Sequence, residues 1–336
     1  MTRHRPAGVN RLEHTLSAPP NYPLTMPEPV EPNPSPEPLP FQLPDKLARA
    51  LGRLTLRAGG YPGRQYVGTV HRHVSRARGG RRFVVHPDGS DDRVELDAWF
   101  SPRDPAAPPR LPVIIAHGLF ETKERHFKRA WKLNARGHDV VLFDHRVHGR
   151  SKGRHSTFGV LEKHDTKAVI DEAIRRGLIG GSHPDAVRVI TMGFSLGGGT
   201  VLQHAPIDPR VAGVVALAPF CDFRNAIRSF RQTLVPWMNE RWILEGFDAA
   251  SMEAGFTLDE ASALEAVARI KVPVLLVEGG RDPYLPGPDH ARLLNKARTH
   301  NEVTLLTIDD ANHNTLVHKS WPKLDRAIAR FCAALG

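Results

Sequence analysis

The sequence predicts an α/β fold: a mostly parallel central sheet flanked by helices, with a small helical insertion. Three observations lead there. From about residue 80 onward, short runs rich in Val, Ile and Leu alternate with segments of helical spacing, the pattern that builds βαβ units. Runs such as Val-Ala-Gly-Val-Val-Ala-Leu at 211–217 are continuously apolar, as strands covered on both faces are. The alternation then lapses for about fifty residues between Ala218 and Ile270, which marks one insertion.

Residues 1–44 are Pro-rich, and within 27–40 proline recurs at nearly every second position. That removes N–H donors and fixes φ, so a disordered or polyproline tail is expected. Segment 43–56 has helical spacing at Leu47, Leu51 and Leu54 and closes at Gly59-Gly60. Segments 81–86 and 94–100 read as an opening antiparallel pair around Pro87-Asp88-Gly89. Strands follow at 111–116, 139–143, 187–192, 211–217, 272–277 and 303–308. The helices between and after them are expected at 124–135, 161–176, 200–205, 289–296 and 321–335. Residues 45–336 thus form one α/β domain carrying an insertion at about 220–268. The insertion holds Phe220, Phe223, Phe230, Trp237, Trp242, Phe247 and Phe256. These aromatics either fill a small core of their own or, as a cap, face an acyl pocket, and both readings can hold together.

The chemistry is concentrated at Gly193-Phe194-Ser195-Leu196-Gly197, between strand 187–192 and helix 200–205. A Gly-x-Ser-x-Gly at such a junction is a sharp turn that strains the serine backbone and needs side-chain-free neighbours two residues away on each side. The new helix aims its free N–H groups and positive dipole end at Ser195. A serine is a poor nucleophile without a base in reach. The base must come from another loop at the carboxyl edge of the sheet, where ligands of α/β folds bind. His313 follows the last strand in Asp309-Asp310-Ala311-Asn312-His313-Asn314, on an expected loop. Asp282 follows the penultimate strand in Glu278-Gly279-Gly280-Arg281-Asp282-Pro283. Asp222 is a rival carboxylate just past a strand. His318 is a rival histidine, expected at the start of the closing helix and facing solvent. His117-Gly118-Leu119 follows strand 111–116. The backbone N–H groups of Leu119 and Leu196 are therefore the candidate oxyanion donors, each typically worth roughly 2.7–4 kcal/mol in the transition state.

The chain order Ser195, Asp282, His313, each residue just past a strand, resembles the α/β-hydrolase fold serine hydrolases, and among them the bacterial esterase and serine-aminopeptidase-like members with a small cap. The likeness covers roughly residues 80–335 and includes Asp144-His145-Arg146-Val147-His148-Gly149-Arg150-Ser151, similar to the family's Asp-x-Arg-Gly-His-Gly-x-Ser loop. Val147 stands where relatives usually carry glycine, and valine disfavours a positive φ. The resemblance implies an acyl-enzyme on Ser195, with His313 as the base and Asp282 orienting it.

Bulk properties narrow the class. Net charge is +10, and the densest basic stretch, 123–154, is expected to be a solvated face, with too few aromatics among its charges for a nucleic-acid site. Two cysteines, Cys221 and Cys332, are too few for a disulfide framework, and no run reaches the roughly 18 apolar residues of a membrane span. A cytoplasmic protein is expected. The 18 histidines lack metal-motif spacing, and no glycine-rich phosphate loop is present, so neither metal nor cofactor is expected. The expected activity is cleavage of carboxylic esters with a hydrophobic acyl group. Alternatives with the same triad are a thioesterase, an amidase or peptidase, and an acyltransferase. The alternative from another class is a non-catalytic binding protein on a hydrolase scaffold.

Overall fold

Among the described residues, eight strands make one sheet: β1 (Arg81–Val85), β2 (Leu96–Ser101), β3 (Arg110–Ala116), β4 (His138–Phe143), β5 (Val189–Phe194), β6 (Val211–Leu217), β7 (Val274–Gly279) and β8 (Val303–Ile308). Their spatial order is β1-β2-β4-β3-β5-β6-β7-β8. β1 and β2, and β2 and β4, pair antiparallel, and every other pairing is parallel. The computed structural model describes residues 45–57, 72, 75–88, 94–180, 186–285, 292–293, 295–297, 302–319 and 321–336. The Pro-rich stretch 1–44 and half of the expected helix 289–296 lie outside them.

The continuous apolar runs divide by the two-residue period of a strand. Ile114 and Ala116 of β3, with Val214 and Ala216 of β6, pack on one face. Val113 and Ile115, with Val215 and Leu217, pack on the other. Helix α1 (Asp45–Arg57) precedes the sheet, and α2 (Phe127–Asn134), α3 (Glu162–Arg175) and α4 (Leu196–His204) lie between its strands. The insertion after β6 supplies α5 (Phe223–Leu234), α6 (Glu240–Glu253) and α7 (Ala263–Val267). After β8 come α8 (His313–His318) and α9 (Pro322–Ala334). Helices α3, α4 and α7 cover the first face, α2 and α9 the second. A third cluster, which includes Phe158, Leu196, Phe220, Phe223, Ile243 and Phe256, joins the insertion to the end of β5.

Two expectations need correction. Helix α4 starts at Leu196, immediately after Ser195, and not at residue 200. Gly197-Gly198-Gly199 are weak helix formers, and every residue of α4 is buried, so packing supplies what propensity lacks. The basic stretch 123–154 is not one solvated face. Lys128, Lys132, Arg136, Arg150, Lys152 and Arg154 are exposed. Lys123, however, is fully buried, with its ammonium on the carboxylates of Asp97 and Asp144. Arg146 is buried in a bidentate pair with Asp165, 2.7 Å at both bonds. A buried charge without a partner costs far more than a surface pair gains, so these ion pairs fix the loops after β3 and β4. Val147, between them, does take a positive φ of 66°, at a cost on the order of 1–2 kcal/mol.

Candidate active site

Ser195 stands at the corner between β5 and α4 with φ 52° and ψ −111°. Such a conformation costs a non-glycine residue on the order of 1–3 kcal/mol, and the surrounding packing must hold it. A Cβ placed on Gly193 would lie 2.1 Å from the Gly197 carbonyl oxygen, so the sharp turn requires glycine. The Ser195 N–H donates to the Leu217 carbonyl at 2.9 Å, and the Gly197 N–H to that of His117 at 3.0 Å, which ties the corner to β6 and to the loop after β3.

The structure brings Ser195, Asp282 and His313 together. His313 Nε2 lies 2.9 Å from Ser195 Oγ, and His313 Nδ1 lies 2.7 Å from Asp282 Oδ2. An ionised carboxylate only accepts, so Nδ1–H donates to Asp282 and Nε2 accepts from the serine hydroxyl. The other oxygen of Asp282 accepts the backbone N–H groups of Tyr284 (2.9 Å) and Leu285 (3.0 Å), which orient the carboxylate. The loops carrying Asp282 and His313 are joined by Gly280 N–H to Ile308 O (3.0 Å) and Arg281 N–H to Ala311 O (2.9 Å). The rings of Phe194 and Tyr284 flank the imidazole at 5.0 and 5.6 Å.

His313 opens a short helix rather than lying on an irregular loop. Asn312 caps α8 with its side-chain oxygen on the Thr315 N–H at 2.9 Å, while Thr315 Oγ1 accepts the Asn312 N–H at 2.9 Å. His318 is exposed, as expected, but does not stand at the start of the closing helix. It ends α8, with Nε2 2.7 Å from Glu121 Oε1. The rival carboxylate Asp222 caps α5 instead, accepting the Asn225 N–H at 2.8 Å and its side-chain amide at 2.7 Å.

Leu119 lies on the loop after β3 and Leu196 opens α4. Their backbone N–H groups donate to no acceptor among the described residues, as oxyanion donors require. The loop is set by two buried side chains. His117 Nδ1–H donates to the Gly118 carbonyl (2.7 Å) while Nε2 accepts the His145 N–H (3.0 Å), and burial holds His117 well below its ordinary pKa, so it stays neutral. Glu121 accepts the Gly118 N–H (3.1 Å), His126 Nε2 (3.2 Å) and His318 Nε2. Burial opposes its charge, yet the bonds from His126 and His318 keep the Glu121 carboxyl well below the usual range.

Glu121 thus links the Leu119 loop to the helix that begins at His313. Sequence reasoning missed it, because a lone carboxylate four residues past His117 has no motif to mark it. Glu121→Gln keeps the shape and removes the charge. It is expected to lower kcat by up to about 10²-fold, the scale set by small displacements of reacting groups, with a smaller change in KM. Steady-state kinetics on a short ester checks this, and an unchanged kcat with a raised KM would contradict it.

Beside Leu119 lies an apolar cavity of about 340 Å³. Leu119 and Phe120 form part of its wall, and Phe223, Ile227, Phe230 and Phe247 from α5 and α6 form much of the rest. The insertion's aromatics divide between its core and this cavity: Phe220 and Phe256 are packed in the core, while Phe223 is both buried and cavity-lining. Trp237 is neither, being 73% exposed. Among the described residues no group of three or more His, Cys, Asp or Glu is placed to hold a metal ion.

Residues 107–251 match the family model described as serine aminopeptidase, S33. The esterase Pf2001 of Pyrococcus furiosus superposes with a TM-score of 0.60 at 20% identity, over 76% of this chain and 93% of that one. The chain has the α/β-hydrolase fold. Est1E of Butyrivibrio proteoclasticus, solved with ferulic acid bound, shares this α/β-hydrolase fold at a TM-score of 0.54 and 18% identity, over 75% and 98% of the two chains. An uncharacterized protein of Mycobacterium tuberculosis is 27% identical to this chain over 218 residues, 65% of this chain and 67% of that one. A monoacylglycerol lipase of Mycolicibacterium smegmatis is 33% identical over 117 residues, 35% and 39% of the two chains.

Proposed function

We propose that this protein of α/β-hydrolase fold is a serine hydrolase that cleaves carboxylic esters with an apolar acyl group through an acyl-enzyme on Ser195. The observation that carries the reading is the relay from Ser195 Oγ through His313 to Asp282, at 2.9 and 2.7 Å. As Ser195 Oγ attacks the ester carbonyl carbon, His313 Nε2 takes its proton, and Asp282 stabilises the imidazolium. The carbonyl oxygen gains the negative charge and accepts the N–H groups of Leu119 and Leu196. Collapse of the tetrahedral intermediate breaks the bond to the leaving alkoxide, which takes the proton from His313. Water, deprotonated by the same nitrogen, then attacks the acyl carbon, and its collapse frees the acid and returns the proton to Ser195.

Two features favour an acyl ester over an N-terminal peptide. The cavity beside Leu119 is walled by aromatic and aliphatic side chains. An aminopeptidase site needs carboxylates for the substrate ammonium, whereas the one charged side chain in this wall, among the described residues, is the cation Arg231. The lipase and esterases among the similar proteins agree with the ester reading. Two buried cysteines, Cys221 and Cys332, neither in a disulfide, fit a reducing compartment, and the proposed location is the cytoplasm. Across p-nitrophenyl esters of two to ten acyl carbons, kcat/KM is expected to rise with chain length before it falls, because each buried methylene contributes about 0.8 kcal/mol until the cavity is full. Turnover of aminoacyl amides without turnover of any ester would overturn this reading in favour of a peptidase.

A further inference from the structure

We propose that the N-terminal helix α1 forms a wall of the acyl cavity and that Thr55 limits the length of the acyl chain it accepts. The proposal rests on the ester reading only for the identity of the ligand. Helix α1 lies outside residues 107–251, the part that matches the family model, so this wall is supplied by a segment that match does not cover.

Helix α1 is seated from two sides. On the insertion side it lies against α6 at backbone distance: a Cβ on Gly52 would fall 2.7 Å from the Gly246 carbonyl oxygen and 2.9 Å from Ala250 Cβ. Arg53 adds a bidentate pair with Glu253 at 2.7 and 2.6 Å, a surface contact that sets register more than it stabilises. On the sheet side, the Leu56 carbonyl accepts the Ser156 N–H at 2.9 Å. The Leu56 side chain is buried in the cluster that contains Leu196 and Phe158. One helix therefore bridges the insertion and the loop before α3.

Between those two attachments, Thr55 contributes to the cavity wall together with Phe158, Phe223 and Phe247. Leu119, whose N–H is the candidate oxyanion donor, lines the same cavity. An acyl chain whose carbonyl oxygen meets Leu119 thus has its tail in a space that α1 helps to close. The Thr55 side chain is small, and it adds a hydroxyl to a wall otherwise mostly apolar. A larger side chain at this position would shorten the space, and an apolar one of equal size would favour the chain further.

The test uses the full chain and two variants, Thr55→Trp and the near-isosteric Thr55→Val. Decanoate binding is measured by calorimetry, together with the ratio of kcat/KM for the decanoate and acetate p-nitrophenyl esters. Thr55→Trp is expected to weaken decanoate binding and lower the ratio at least about tenfold, the scale on which a pocket discriminates by size. Thr55→Val is expected to raise both by about twofold to fivefold, the effect of removing one hydroxyl from an apolar wall. If Thr55→Trp does not fold, as its melting temperature would reveal, Thr55→Val alone decides. Binding and ratio unchanged in a folded variant would overturn the proposal. The binding measurement requires no turnover, so a wild type that binds decanoate yet cleaves no ester would count against the ester reading and leave the wall intact.

Discussion

Ser195→Ala is expected to lower kcat for ester hydrolysis by about 10⁶-fold, and adding His313→Ala to it is expected to cost almost nothing more. Residues that act as one unit are not additive: once the nucleophile is gone, the base has no proton to take. The geometry makes this strong coupling a direct consequence, since His313 Nε2 reaches the reaction only through Ser195 Oγ at 2.9 Å. Asp282→Asn should cost less, about 10⁴-fold, because it leaves Ser195 and His313 in place but favours the wrong imidazole tautomer. Residual activity in all three variants should remain above the uncatalysed rate, through the Leu119 and Leu196 N–H groups. Steady-state kinetics of Ser195→Ala, His313→Ala, their double variant and Asp282→Asn checks the pattern. A double variant losing the product of the two single effects would mean that the residues act separately.

The second large effect is on stability in mild acid. Burial holds His145 down to about 3 and His204 to about 4, against 6.5 for an unperturbed histidine. Between those values and 6.5 the unfolded chain binds protons that the folded chain does not, so stability falls as pH falls. Going from pH 7.5 to 5.0, each of the two costs about 2 kcal/mol. Asp165 acts in the opposite sense. Burial raises it to about 6, so the folded state gains a proton first and recovers about 1.4 kcal/mol by pH 5. The net loss from these three groups is about 3 kcal/mol, and His117, His126 and His148, also lowered by burial, deepen it. That is a large share of the stability of a typical domain. Urea unfolding at pH 7.5 and 5.0 tests the sign: the midpoint should fall clearly at pH 5.0, and an equal or higher midpoint would contradict it.

Much of the sheet was legible because its strands are covered on both faces. Val113 and Ile114 point to opposite cores, yet both must be apolar, so the run announces itself without periodicity. The junction at Ser195 was legible for a different reason: the turn leaves no space for side chains at Gly193, and that demand is written in the sequence. The start of α4 was not legible, because Gly197-Gly198-Gly199 carry no helix propensity and the helix depends on packing. Nor were the buried charges. Arg146 and Asp165 are 19 positions apart, and Lys123 and Asp144 are 21, so no local pattern distinguishes them from solvated residues. The same holds for Glu121 and His318, which meet only because the loop after β3 and helix α8 converge at one edge of the sheet. Side-chain chemistry just past a strand end could be read from sequence, whereas charges paired across the fold could not.

The central claim is that Ser195 is an activated nucleophile, and fluorophosphonate labelling of the wild type beside Ser195→Ala tests it most directly. Phosphonylation needs the serine oxygen, the base and the oxyanion donors together, but no particular substrate. A single phosphonyl adduct mapped to Ser195 by mass spectrometry, and absent from the folded variant, is the predicted result. No adduct on the folded wild type, or an adduct that persists in Ser195→Ala, would contradict the account.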